Sequence, residues 1–144
     1  MKKKSILSLI LFVIFFFVSS CDKYDCNDGL DGQWQMLEWK SADGELVATK
    51  EAKIYYCFQL QMMMFQKLSD PSTYVFSSFH NQQTSIRVYD PIKYKGNGHD
   101  LILSMDTLKQ YGVPSDGLMK IERLSKDTLV LSSNETGRLI FRKY

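Results

Sequence analysis

Ile54-Tyr55-Tyr56-Cys57-Phe58-Gln59-Leu60-Gln61-Met62-Met63-Met64-Phe65-Gln66 is the stretch that decides the fold. Ile54, Tyr56, Phe58, Leu60, Met62 and Met64 alternate with Tyr55, Cys57, Gln59, Gln61, Met63 and Phe65. The even set is wholly apolar and the odd set is mixed, the pattern of a strand with one face on a core. Read as one strand, thirteen residues extend roughly 43 Å, longer than is usual, so the reading includes a bend or a highly curved sheet. The even face, Tyr56, Phe58, Leu60, Met62 and Met64, is then either the wall of an apolar ligand cavity or, if there is no cavity, the core itself. Methionine is unbranched and polarizable, which suits both roles.

Shorter alternating runs surround this one. They cover Gln33–Lys40, Glu45–Thr49, Thr73–Phe79, Thr84–Tyr89, Asp100–Met105, Leu118–Leu124, Thr128–Ser132 and Arg138–Lys143. Turn residues punctuate them at Asp43-Gly44, Asp70-Pro71, His80-Asn81, Gly96-Asn97-Gly98, Lys126-Asp127 and Asn134-Glu135-Thr136-Gly137. One segment reads as helix: Asp106 caps Thr107–Tyr111, Gly112 ends it, and Pro114 prevents a restart. Eight or nine short antiparallel strands fit an up-and-down barrel or a two-sheet sandwich. The hairpin succession and the long bent strand favour an all-β, antiparallel up-and-down barrel of about eight strands with one short helix.

The first twenty residues have a different character. Lys2, Lys3 and Lys4 precede an uncharged stretch whose apolar heart is Ile6–Val18. As a helix it covers roughly 20 Å, short of the ~30 Å hydrocarbon core, so a cleaved secretory segment fits better than a permanent span. Val18-Ser19-Ser20-Cys21 resembles the bacterial lipobox, in which small residues admit the signal peptidase and the cysteine thiol carries a diacylglycerol. The expected organisation is a lipoprotein signal peptide at 1–20, a polar tether at 21–29 and a barrel domain at 30–144. The mature chain then sits in the cell envelope, anchored through Cys21, with the outer membrane as its expected location. Several acyl chains hold a protein stably where one alone is marginal. The acidic residues after Cys21 read either as spacer or as a sorting signal, for inner-membrane retention or for surface export.

Losing the leader takes three of the 18 basic side chains and leaves 15 against 16 acidic ones. The basic excess therefore belongs to the leader, and no nucleic-acid partner is expected. The chain has no nucleophile elbow, no phosphate-binding glycine loop and no His-x-x-x-His pair, so no enzyme, metal or cofactor is expected. His80 and His99 lie beside turn residues and read as solvated loop histidines. Cys26 and Cys57 are either a disulfide closing a loop of about 30 residues or a buried thiol and a mobile one.

Leu30-Asp31-Gly32-Gln33-Trp34 opens the first strand. Gly-x-Trp in this position resembles the lipocalin and lipocalin-like signature. The hairpin Met119–Leu131 and the strand Gly137–Arg142 are similar to the last strands of small lipocalin-like lipoproteins of Bacteroidota-type bacteria. The resemblance covers Leu30 to Tyr144. It implies a turn at Gly32, Trp34 as the stopper of the barrel floor, and a basic residue of the last strand stacked on the indole. Arg142 is the expected residue, with Arg138 second. The Thr-Asp-Tyr motif and C-terminal helix of typical eukaryotic lipocalins are missing, so their ligands do not transfer. Asp106-Thr107-Leu108 and Asp127-Thr128-Leu129 resemble the O-glycosylation motif of exported Bacteroidota proteins, which makes Thr107 and Thr128 candidate acceptors. The expected function is noncatalytic binding of a small apolar or amphipathic ligand inside the barrel. The alternative is an accessory lipoprotein that binds a partner protein or a glycan on its outer surface.

Overall fold

The computed structural model of the chain describes residues 26–96 and 98–144. Ten strands form one antiparallel sheet: β1 (Gly32–Lys40), β2 (Leu46–Val47), β3 (Ile54–Gln59), β4 (Met62–Lys67), β5 (Asp70–Asn81), β6 (Ser85–Lys93), β7 (Leu101–Ile102), β8 (Leu118–Leu124), β9 (Thr128–Ser133) and β10 (Gly137–Lys143). A 3-10 helix spans Met105–Tyr111. Eight strands, β1, β3, β4, β5, β6, β8, β9 and β10, close into a barrel because β1 pairs with both β3 and β10. Strands β2 and β7 are two-residue additions to β1 and β6. Closure removes the unpaired edges of the eight-stranded ring.

Each strand turns alternate apolar side chains inward. Trp34 and Met36, Tyr56 and Phe58, Met63 and Phe65, Val75 and Phe79, Ile86 and Val88, Leu129 and Leu131, Leu139 and Phe141 make one continuous core. Irregularities in pairing at Met36/Glu38, Phe65/Lys67, Phe76/Ser78 and Ile121/Arg123 add the local twist that lets short strands coil round the ring.

The stretch Ile54–Gln66 is not one bent strand. It is a hairpin, β3 and β4, in which Gln59 faces Met62 across the two-residue turn Leu60-Gln61. Leu60 has φ of 55°, a left-handed conformation that such turns usually give to Gly or Asn. The turn reverses parity. The inward set is even in β3 and becomes odd in β4, with Met63 and Phe65 buried.

Two pairs read as turns lie inside a strand, since β5 runs unbroken from Asp70 to Asn81 and takes in Pro71 and His80. His80 is therefore an outward strand residue opposite Arg87 rather than a loop residue. The helix begins two residues earlier than expected, because the Ser104 side chain, not Asp106, accepts the first N–H. Gly112 ends it at φ of 91°.

Gly117 ends the loop that leads into β8, with φ of 69° and its space closed by the Val88 carbonyl. A Cβ there would lie 2.0 Å from that oxygen. Gly117→Ala is expected to lose at least about 2 kcal/mol, read as a lower urea midpoint at unchanged slope.

Candidate functional site

The two ends of the barrel are closed differently. At the end where β1 begins, Trp34 is wholly buried and its Nε1–H donates to the Leu30 carbonyl at 2.7 Å. The ammonium of Lys143 stands 4.9 Å from the indole ring centre and donates to the Gly29 carbonyl at 3.2 Å. Gly32 has φ of 118°, and a Cβ there would meet Lys143 Cε at 3.0 Å. The stopper expected from Gly32 and Trp34 is present, but its basic residue is Lys143. Arg142 points outward and reaches Gln35 Oε1 at 3.4 Å, while Arg138 holds Glu122 at 2.7 Å. The reason is alternation: Leu139 and Phe141 face inward, so Lys143 does too and Arg142 cannot. Counting inward from Phe141 would have found it.

The lumen is filled by the protein's own rings. Tyr56 packs 4.8 Å from Phe65 and 4.6 Å from Phe141, and Phe58 packs 5.2 Å from Phe79. Of the five residues expected to line a ligand wall, Tyr56 and Phe58 belong to this core. Leu60 is 58% exposed on the turn, Met62 is 46% exposed, and Met64 lies on the outer wall. The parity reversal at Leu60 separates them, so the five do not share a surface.

The 3-10 helix plugs the other end. It buries Leu108 and Tyr111, with the Tyr111 ring 5.5 Å from Phe65. The Tyr56 hydroxyl donates to the Tyr111 carbonyl at 2.7 Å. Full burial pushes the Tyr56 phenol well above its usual pKa, so it remains a neutral donor. From outside, Lys67 lies 5.3 Å from the centre of the Tyr111 ring, and burial lowers its pKa.

The turn between β9 and β10 latches the plug. Lys109 bridges Asp106 at 2.8 Å and Glu135 at 3.1 Å. Glu135 also accepts from the Ser115 N–H at 2.8 Å and hydroxyl at 2.7 Å. Thr136 Oγ1 donates to the Gly112 carbonyl at 2.8 Å, and the Trp39 indole donates to Thr136 O at 2.8 Å. Bonding to Lys109 holds the Asp106 carboxyl below its ordinary range, and bonding to Ser115 does so for Glu135. The sequence offered Asp106 as a helix cap and Glu135 and Thr136 as turn residues, but not their joining to the plug through Lys109, Ser115 and Gly112, because these partners meet only in the folded chain.

The outer wall carries an apolar row. Cys57 faces Met64, Met64 faces Phe76, Phe76 faces Ile92 and Ile92 faces Ile102, strand by strand from β3 to β7. The first four are half-buried and Ile102 is 83% exposed. Tyr74 extends the row with its ring 5.8 Å from Phe76. Partial burial pushes the Cys57 thiol up, so it stays protonated in the row. Cys26 and Cys57 are not joined. The Cys26 N–H is tied to Asp31 Oδ2 at 2.9 Å at the barrel end, whereas Cys57 belongs to the side wall.

A polar groove of about 750 Å³ lies open on the far side, between Lys40, Lys120, Glu122, Ser132, Glu135 and Arg138. Thr107 is half-buried in the 3-10 helix and Thr128 half-buried at the start of β9. Among the described residues no group of three or more His, Cys, Asp and Glu side chains is placed to hold a metal. The expected signal peptide at 1–20 and the expected lipidation site Cys21 fall outside the described residues.

A family model described as a lipocalin-like domain matches residues 15–144. A crystal structure of a lipocalin-like protein from Bacteroides uniformis ATCC 8492 is similar at 25% identity and TM-score 0.56, covering 81% of this chain and 99% of that one. An uncharacterized protein from Bacteroides eggerthii DSM 20697 is 22% identical with TM-score 0.55, covering 80% and 99%. A Burkholderia xenovorans protein solved by NMR is 12% identical with TM-score 0.50, covering 80% and 83%. The last two speak to the fold alone. Among curated proteins, none matches the chain.

Two outcomes follow from the geometry of the ends. Lys143→Met is expected to cost about 1 kcal/mol by removing the indole contact and the bond to Gly29, whereas Arg142→Met stays within about 0.5 kcal/mol of the parent in chemical denaturation. The latch is acid-sensitive. Asp106 and Glu135 have folded pKa values below their unfolded ones, so their contribution is present above the unfolded carboxyl range, about pH 4, and is lost as pH falls through the folded values. Amide exchange in Met105–Tyr111 should rise on acidification before that of β9 and β10, and Glu135→Gln should raise it already at neutral pH.

Proposed function

The chain belongs to the lipocalin-like domain family, and from that premise we propose that it is an anchored envelope protein that works without catalysis, holding a partner protein against its outer wall. A lipocalin-like barrel is a fold suited to binding. Two observations carry the choice of surface. Trp34, Tyr56, Phe65, Phe141 and Tyr111 occupy the lumen, and the row Cys57–Met64–Phe76–Ile92–Ile102 lies in lateral register on the outside. Exposed apolar surface of this kind is suited to burial against another protein. The anchor reading rests on the sequence: Lys2–Lys4, the short apolar segment and Val18-Ser19-Ser20-Cys21. On this reading the barrel stands at the outer membrane, on its periplasmic or its external side.

The noncatalytic reading is supported by the carboxylates near the plug, since Asp106 and Glu135 are engaged by Lys109 and Ser115 rather than directed at a cleft. A second reading is a small apolar or amphipathic ligand taken into the lumen. What favours it is the plug, a single 3-10 helix whose movement would uncover Phe65 and Tyr111. Glycan attached at Thr107 or Thr128 is compatible with either reading.

Photo-crosslinking in the native envelope separates the two. A crosslinker at Ile102 is expected to give one discrete protein adduct that Met64→Glu abolishes, while a crosslinker at Arg142 gives none. Solvent extraction of the purified native protein should return no stoichiometric small molecule. A retained apolar molecule, with no adduct at Ile102, would overturn the outer-wall reading in favour of the lumen.

A further inference from the structure

The barrel end that carries Trp34 exposes two large apolar side chains on one of its turns. The β3–β4 turn presents Leu60, 58% exposed, and Met62, 46% exposed, flanked by Gln59 and Gln61. Of the other two turns on the same end, Gln82-Gln83-Thr84 is uncharged, while Ser125-Lys126-Asp127 carries an exposed lysine and an exposed aspartate. A bulky apolar residue at φ of 55° on an exposed turn carries strain and gains nothing from the core. The opposite end displays Asp43, Glu45, Lys50, Glu51, Asp106 and Glu135, all exposed.

The start of the described chain is fastened to this same turn. Asn27 Nδ2 donates to the Leu60 carbonyl at 2.9 Å, and Asn81 Nδ2 donates to the Asn27 carbonyl at 3.1 Å. Cys21 precedes Asn27 by six residues, which span at most about 21 Å when fully extended. The twelve residues of β5, tilted as strands in a closed barrel are, rise roughly 30 Å along its axis, so the same tether cannot bring the plugged end to the anchor point.

We propose that Leu60 and Met62 form a membrane-contacting tip: the barrel stands on the bilayer that holds its acyl chains, Trp34 end down, with these two side chains in the lipid interface. The inference rests on acylation of Cys21. The tip adds a second point of contact beside the lipid, which restricts tilt and directs the outer row and the plug away from the membrane surface. Two attachments fix an orientation that one flexible tether leaves open. The glutamines that flank the tip, Gln59 and Gln61, carry no charge to oppose zwitterionic or anionic headgroups.

The test uses the full acylated protein in vesicles of phosphatidylethanolamine and phosphatidylglycerol, with and without bromine on the acyl chains. Leu60→Trp and, separately, Met62→Trp each add an indole whose emission is read against the unsubstituted protein. The expected result is a blue shift on reconstitution and loss of most of the added emission with brominated lipid. Tyr94→Trp, at the other end, should keep its emission. Quenching at Tyr94→Trp alone, or at none of the three, overturns the orientation. A blue shift that bromine leaves untouched means another protein covers the tip, and overturns it as well. Mass analysis of the N-terminal peptide is read on the same sample. Acylated Cys21 with an unquenched indole removes this inference only, while an unacylated Cys21 removes the anchor and the inference with it.

Discussion

Every other feature depends on the pairing of β1 with β10. Gln35 opposite Arg142 and Met36 opposite Phe141 join the first strand of the ring to the last. That seam places Trp34 between Lys143 and Tyr56, and it places Phe141 against the Tyr56 ring. Without it β1 and β10 would be edge strands and the aromatic core would have no fourth side. With it, a small domain encloses a lumen narrow enough for its own side chains to fill.

A filled lumen changes what the fold offers. Strand faces that look inward are committed to packing, and the 3-10 helix closes the end that would otherwise be a mouth. What remains available is the outside, and it is uneven. One wall carries the apolar row, another an open polar groove, and the Trp34 end an exposed leucine and methionine. This asymmetry gives the barrel a bottom, a front and a top.

Much of the fold was legible because alternation with period two is a direct consequence of the pleat. Gly32, Trp34, the hairpin from Leu118 to Ser133 and the closing strand are all found where the sequence puts them. The hairpin at Leu60 was not legible. Leu60-Gln61 lacks the Gly, Asn or Asp that normally marks a two-residue turn, and an apolar run on both sides hides the change of parity. That one turn moved Met62 and Met64 from the core face to the outside and dissolved the expected ligand wall. The exchange of Arg142 for Lys143 is a smaller error of the same kind, one residue along an alternating strand. The latch was invisible for another reason: Lys109, Ser115 and Glu135 meet only through the tertiary structure.

The central claim is that the interior is occupied by the protein itself. Diffraction from crystals held under xenon tests it most directly, because xenon enters apolar voids in protein interiors. The account predicts no xenon within the ring formed by Tyr56, Phe65, Tyr111 and Phe141. A well-occupied xenon site among those four side chains would contradict it.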